Sequence, residues 1–174
     1  TGGGAVYHDY DGEITYSVIA PESLFKKNIV ESYKQVAEWI THGLKKVNVD
    51  AQFVPINDLI VDGKKISGNA QTRRNGILQM HGTILFDVDV ERMFSLLKVP
   101  DEKMKDKVIQ NVKERVTSLK QNQVKEYDKV YEALKDGFLA GKEWKEGKWS
   151  DEEVEKAEIL AEEKYGHPKW VEMR

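Results

Sequence analysis

The chain of 174 residues contains no cysteine and only four prolines. Without a thiol it has no disulfide, no thiolate nucleophile and no cysteine-based zinc site, and a cytoplasmic setting is the expectation. No apolar run approaches the roughly 20 residues that a membrane-spanning helix needs, so no membrane partner is expected. An excess of positive charge is missing as well. Lys and Arg number 27 against 30 Asp and Glu, a net charge of −3 that argues against a nucleic-acid partner. What the chain does have is 40% hydrophobic residues, enough for a buried core in one domain of ordinary size.

Two periodicities alternate along it. "EITYSVIAP" sets Ile14, Tyr16 and Val18 against Thr15, Ser17 and Ile19, a period-two strand that Pro21 ends. From Pro21 onward Phe25, Ile29, Tyr33, Val36, Ile40 and Leu44 recur every three or four residues and predict one face of a long amphipathic helix. "NVDAQFVP" and "DLIVDGKKISGNAQ" read as strands, with "DGKK" as a tight hairpin turn, and "ILQMHGTILFDVD" completes a β-rich block. After Asp89 the pattern is helical: "VERMFSLLKV", then Lys103 to Gln110, then Val124 to Gly141. "SDEE" begins a last helix as a capping box, with Ser150 as N-cap and Glu153 returning the bond. Strand, helix, strands, helices is the order of an α+β domain with a mostly antiparallel sheet and packed helices.

Several short stretches carry chemistry. Gly2, Gly3 and Gly4 let backbone N–H groups approach an anion or a flat ring, although a flexible loop uses glycine equally well. No Gly-Lys-Ser/Thr and no helix follows, which excludes a P-loop and a dinucleotide fingerprint. Lys64 and Lys65 are adjacent on a strand, so they point to opposite faces. An inward Lys65 beside Ser67 and Gly68 suits a phosphate or carboxylate; a solvated hairpin pair is the ordinary alternative. Asp58, next to Asn57, suits Mg²⁺ beside phosphates or simply a turn. His8 and His81 are acid–base candidates or structural histidines, and no nucleophile elbow accompanies either. Spacing alone supports an anion-binding α+β domain.

Taken together, "TGGGAVYHD", "NDLIV" with "GKKISGNAQ", "LQMHGTILFDVD" and "KERVTSL" resemble, in order, the signature blocks of the lipoate–protein ligase A family in the biotin/lipoyl ligase superfamily. The resemblance runs from Thr1 to about Leu119. It implies a class II synthetase-like catalytic domain over residues 1–174 and an ATP-dependent ligase. In that reaction lipoate attacks the α-phosphate of ATP to give lipoyl-AMP. A lysine of a lipoyl-acceptor protein, such as a 2-oxoacid dehydrogenase acyltransferase subunit or the glycine cleavage H protein, then takes the lipoyl group. By the same resemblance Lys65 is the catalytic cation between lipoate and ATP. Gly4, Ala5, Val6, Tyr7 and Asn57 line the nucleotide, and Gly3, His8, Gly68 and His81 line the acyl substrate. Asp58 is expected to hold Mg²⁺.

Two departures accompany the match. "HDYDGEITYSV" carries an extra residue relative to the family, with Thr15 near the position of a family asparagine. The chain also starts inside the glycine signature, where relatives have an arginine pair and upstream strands, and its other end resembles the short, archaeal-like form. The N-terminal part of the domain and a separate accessory domain are therefore expected partners. The runner-up is an octanoyl or lipoyl transferase that takes its acyl group from a carrier without ATP. Such transferases generally use a cysteine, and on that ground the ligase is the expectation. A non-catalytic acyl- or carrier-binding module is the third reading.

Overall fold

Two tight hairpins organise the β-rich part of the molecule, whose computed structural model describes residues 6–97 and 105–172. Asp62 and Gly63 (φ 49° and 77°) join one pair of strands, and Asn75 and Gly76 (φ 53° and 75°) join the next. Two successive residues at positive φ make a turn whose twist matches that of the flanking strands. Five strands result: β1 (Glu13–Pro21), β2 (Gln52–Val54), β3 (Asp58–Val61), β4 (Lys64–Arg74) and β5 (Ile77–Leu85). They form one sheet in the order β1-β5-β4-β3-β2, with every neighbouring pair antiparallel. The expected α+β architecture is present.

Helix α1 (Ile29–Lys45) begins four residues later than Phe25, the first member of its apolar series. Asn28 is its N-cap, with Oδ1 accepting from the backbone of Val30 at 2.8 Å and Glu31 at 3.2 Å. The preceding segment is held out of the helix by β4. The Arg73 guanidinium donates to the carbonyls of Lys26 (3.0 Å) and Lys27 (3.2 Å), which are then engaged outside the helical ladder. Phe25 is nevertheless buried, tilted against Trp39 with ring centres 6.4 Å apart. The apolar periodicity thus reports burial correctly and overruns the helix.

Helix α2 spans Val90–Leu96, α3 Lys105–Arg115 and α4 Tyr127–Leu139. α4 starts at Tyr127 rather than Val124 because residues 120–126 form a turn, in which Gln123 has φ 65° and Val124 donates to the Leu119 carbonyl at 2.9 Å. α1 and α4 meet backbone to backbone. A Cβ on Gly43 would lie 2.9 Å from the Cα of Leu134, and one on Gly137 would lie 2.7 Å from the nitrogen of Gly43. Val36, Ile40 and Leu44 of α1 and Val130 and Leu134 of α4 share one buried cluster with Leu59, Ile66, Leu78, Met80 and Ile84 of the sheet. Each fully buried aliphatic side chain of this kind contributes about 1.5–3 kcal/mol.

The chain divides after Ala140 into two compact units. The second carries α5 (Asp151–Leu160), a short π-helix over Ala161–Tyr165 and α6 (Pro168–Val171). Its capping box is formed as the sequence predicts: Ser150 Oγ accepts from the Glu153 backbone at 3.3 Å, and Glu153 Oε2 accepts from the Ser150 backbone at 2.8 Å. Among the described residues no helix is long and apolar enough to cross a membrane.

Candidate active site

Strand β4 gives its two faces different work. Ser67, Asn69, Gln71 and Arg73 pair across β5 with Ile84, Gly82, Met80 and Leu78, the row that looks into the core. Gly68, Ala70 and Thr72 look the other way, opposite Thr83, His81 and Gln79. Strict alternation would send Lys65 to the core side with Ser67. The pairing with β3 prevents this. Leu59 pairs with Ser67 and the next residue, Ile60, with Lys65, so Ile66 is an extra residue in β4. Such a bulge shifts the strand by half its two-residue period. Lys65 consequently emerges on the outer face, with Asp58 and Gly68. The expectation that Ser67 stands beside the lysine is corrected: Ser67 is fully buried on the opposite side.

On that outer face the ammonium is closely held. Lys65 Nζ lies 2.7 Å from Asp58 Oδ1. It passes directly over Gly68, where a Cβ would come within 2.9 Å of Nζ and 3.0 Å of Cε. The lysine backbone is fixed from the other side, its carbonyl accepting from Thr117 N at 2.8 Å as Val116 runs parallel to it. Thr117 belongs to "KERVTSL", one of the blocks that carry the family resemblance, and its structural task, holding the Lys65 carbonyl, is visible only in three dimensions. Pairing places Thr15, Thr83, Gly68 and Asp58 in one row across four strands, and Ser17, His81 and Ala70 in the next. The sheet thus brings Lys65, Asp58, Gly68 and His81 to one surface of small and polar side chains.

Asn57 is tied to the core side. Its side chain donates to the Asn69 carbonyl, and Asn69 Nδ2 returns a bond to the Asn57 carbonyl at 2.7 Å. Tyr16 donates its hydroxyl to Asn69 Oδ1 at 2.6 Å, and burial pushes the Tyr16 phenol well above its ordinary pKa. In the segment that follows the glycine signature, Tyr7 donates to Asp9 Oδ2 at 2.8 Å. That bond raises the Tyr7 phenol and holds the Asp9 carboxyl below the usual range. His8 Nδ1 contacts the carboxylate of buried Glu13, while Val6 is exposed. Gly3, Gly4 and Ala5 lie outside the described residues.

Asp58, expected from the resemblance to hold Mg²⁺, is engaged by Lys65. Among the described residues no three His, Asp or Glu side chains converge on one point. The Asp58 oxygen that faces the site already meets an ammonium.

Comparison with known proteins defines the family. The model for the lipoyl protein ligase A/B catalytic domain matches residues 1–139. Octanoyltransferase LipM of Brevibacillus brevis is 32% identical, the match covering 98% of this chain and 71% of that protein. Octanoyltransferase LipM of Kyrpidia tusciae is 33% identical over 92% of this chain and 68% of its own length. Among solved structures, a bi-partite lipoate protein ligase of an archaeal lipoylation system, from Thermoplasma acidophilum, superimposes with a TM-score of 0.87 at 31% identity, covering 97% of this chain and 67% of that one.

These relatives overturn the ATP-dependent ligase reading. Curated proteins similar along nearly the whole chain are octanoyltransferases, and they lend no support to ATP, Mg²⁺ or lipoyl-AMP. The missing cysteine, which favoured the ligase, does not decide the matter chemically. An acyl thioester is already activated, so an amine can take its acyl group with neither ATP nor an enzyme thiol. The catalytic domain described here is that of an acyl-transferring enzyme, and the chain belongs to the lipoyl protein ligase A/B catalytic-domain family.

Proposed function

We propose that this protein is an octanoyltransferase, moving an octanoyl group from a carrier-protein thioester to a lysine of a lipoyl-acceptor protein without ATP. The observation that carries the reading is the similarity to octanoyltransferases across 98% of the chain. Lys65 has the character such a step needs: a cation fixed on an open sheet face, with small neighbours that leave room for a carbonyl carbon and its attacker. The neutral ε-amine of the acceptor lysine attacks the thioester carbonyl, and the negative charge that develops on oxygen is met by the Lys65 ammonium. The C–S bond then breaks, the amide forms, and the proton lost by the amine leaves with the carrier thiol. Holding the two macromolecular substrates together on one face supplies much of the rate.

The test uses the purified protein, octanoyl-loaded carrier protein and a lipoyl domain, with mass spectrometry of the acceptor. The archaeal ligase of similar fold is bi-partite, so the assay is run with and without a separate accessory protein. A gain of one octanoyl group in ATP-free buffer is expected. Modification that needs ATP and a free acid, with none from the thioester, would overturn the proposal.

A further inference from the structure

We infer that Asp58 and Gly68 are positioning residues for Lys65, the carboxylate acting as an anchor and the absent side chain as a notch, which together hold the ammonium where the acyl oxygen is to be met. The inference rests on the octanoyl-transfer reading only for what the held lysine then does.

Three observations carry it. First, Asp58 Oδ1 is buried and takes no hydrogen bond from the described residues, so the ammonium 2.7 Å away is what balances it. Second, Gly68 is not needed for a left-handed backbone, unlike Gly63 and Gly76, whose φ values are 77° and 75°. What its hydrogen provides is clearance for Lys65 Nζ and Cε, at 2.9 and 3.0 Å from where a methyl would stand. Third, the extra residue Ile66 turns Lys65 onto the face of both partners. A device for stability would look different. Lys65 is 42% exposed and Asp58 34%, and ion pairs this open add little to folding.

The same geometry makes the idea separable by mutation. In Gly68→Ala the three nearest atoms to the new methyl are two at the far end of a flexible side chain and an oxygen at 3.8 Å, so the strand is expected to keep its fold while the ammonium moves. A displacement approaching 1 Å at a reacting centre is enough to lower rate by up to about a hundredfold. Asp58→Asn keeps the shape and removes the anchor.

Octanoyl transfer is measured for Gly68→Ala, Asp58→Asn and Asp58→Glu, each in the wild-type and in the Lys65→Ala background. The first two are expected to lower kcat at least tenfold with KM for the acceptor nearly constant, and Asp58→Glu to recover part of the loss. In the Lys65→Ala background neither should lower the residual rate further. Equal losses in both backgrounds would overturn the inference, because the residues would then act independently of the lysine. A second readout does not depend on activity: the rate at which Lys65 is acetylated by an N-hydroxysuccinimide ester, relative to Lys64, read by mass spectrometry. Asp58→Asn and Gly68→Ala should raise that ratio several-fold, and an unchanged ratio would overturn the positioning claim. If the wild-type protein transfers no octanoyl group, the proposed function falls, and the labelling ratio still decides the positioning role.

Discussion

Asn69 and Lys65 lie four residues apart on one strand, face opposite sides of the sheet, and are held in opposite ways. On the core side Asn69 is fully engaged, accepting from Tyr16 and exchanging bonds with Asn57. Its neighbours Gln71 and Arg73 are equally committed: Gln71 donates to Ser32 at 3.0 Å, and Arg73 donates to Ser32 at 2.9 Å and to two backbone carbonyls. On the outer side Lys65 has one carboxylate beside it and keeps two-fifths of its side chain in solvent. A buried polar group with every bond made fixes a strand; a cation with a single anchor and an open flank is left able to meet a substrate. Two functions are thus divided by the direction in which a side chain leaves the backbone.

The sharpest way to break this comparison is to remove its outer member. Lys65→Ala should lower octanoyl transfer by about 10²- to 10³-fold, the scale of a lost oxyanion donor, with thermal unfolding unchanged. Lys64→Ala, at the exposed start of β4, should leave the rate within twofold. Equal losses from the two would show that the face assignment is wrong.

A core-side change should do the reverse. The Cβ of Gly82→Ala would press on the Asn69 side chain and come within 2.8 Å of the Gly68 carbonyl and of the Tyr16 ring. Overpacking of this kind should cost about 3 kcal/mol, read as an early midpoint in urea. Asn69→Ala should cost about 2 kcal/mol, because it leaves the Tyr16 hydroxyl and the Asn57 carbonyl without their partner. Both variants should retain the wild-type rate under conditions where they are folded.

The smallest effect expected is a pH dependence. Burial, and then the nearby Tyr33, raise the pKa of Tyr16 in the folded protein, so the native state keeps that proton at pH values where the unfolded chain has lost it. The stabilisation is complete below the unfolded value near 10 and is lost as pH rises from there toward the folded value. Tyr16→Phe should cost about 1 kcal/mol at pH 7 through its bond to Asn69 and should flatten the decline above about pH 10. Parallel alkaline curves for the two proteins would place the decline elsewhere.

Sequence pattern reached the sheet better than the site. The period-two runs at Ile14–Val18 and Leu78–Ile84, the Asp62-Gly63 turn and the Ser150–Glu153 box are local, and local chemistry is what a sequence displays directly. Asn75-Gly76, between the runs 58–71 and 77–89, is an equally plain turn signal. The start of α1 was not legible, because Arg73, distant in sequence, holds the carbonyls of Lys26 and Lys27. At the site, Lys65 and Gly68 could be picked out as candidates, but which side of the strand they share depends on a register shift against Leu59 and Ile60. The pairing of Asp58 with Lys65 depends on that same shift. The reaction was misjudged for a related reason. The signature blocks mark the fold and the lysine, and these do not distinguish an acyl group activated by ATP from one that arrives already activated.

The extra residue at Ile66 has a consequence for how this strand tolerates change. In a strand, adding or removing one residue acts as a frameshift in space, exchanging inside for outside over everything downstream. β4 already contains one such shift, confined between Lys65 and Ser67, while residues 67–74 are locked in phase by their pairing with β5. The hairpin tip and the body of the strand are thereby kept in separate frames. An insertion at Asp62-Gly63 is therefore expected to lengthen the turn while residues 67–74 keep their phase against β5 and the interior they face is unchanged.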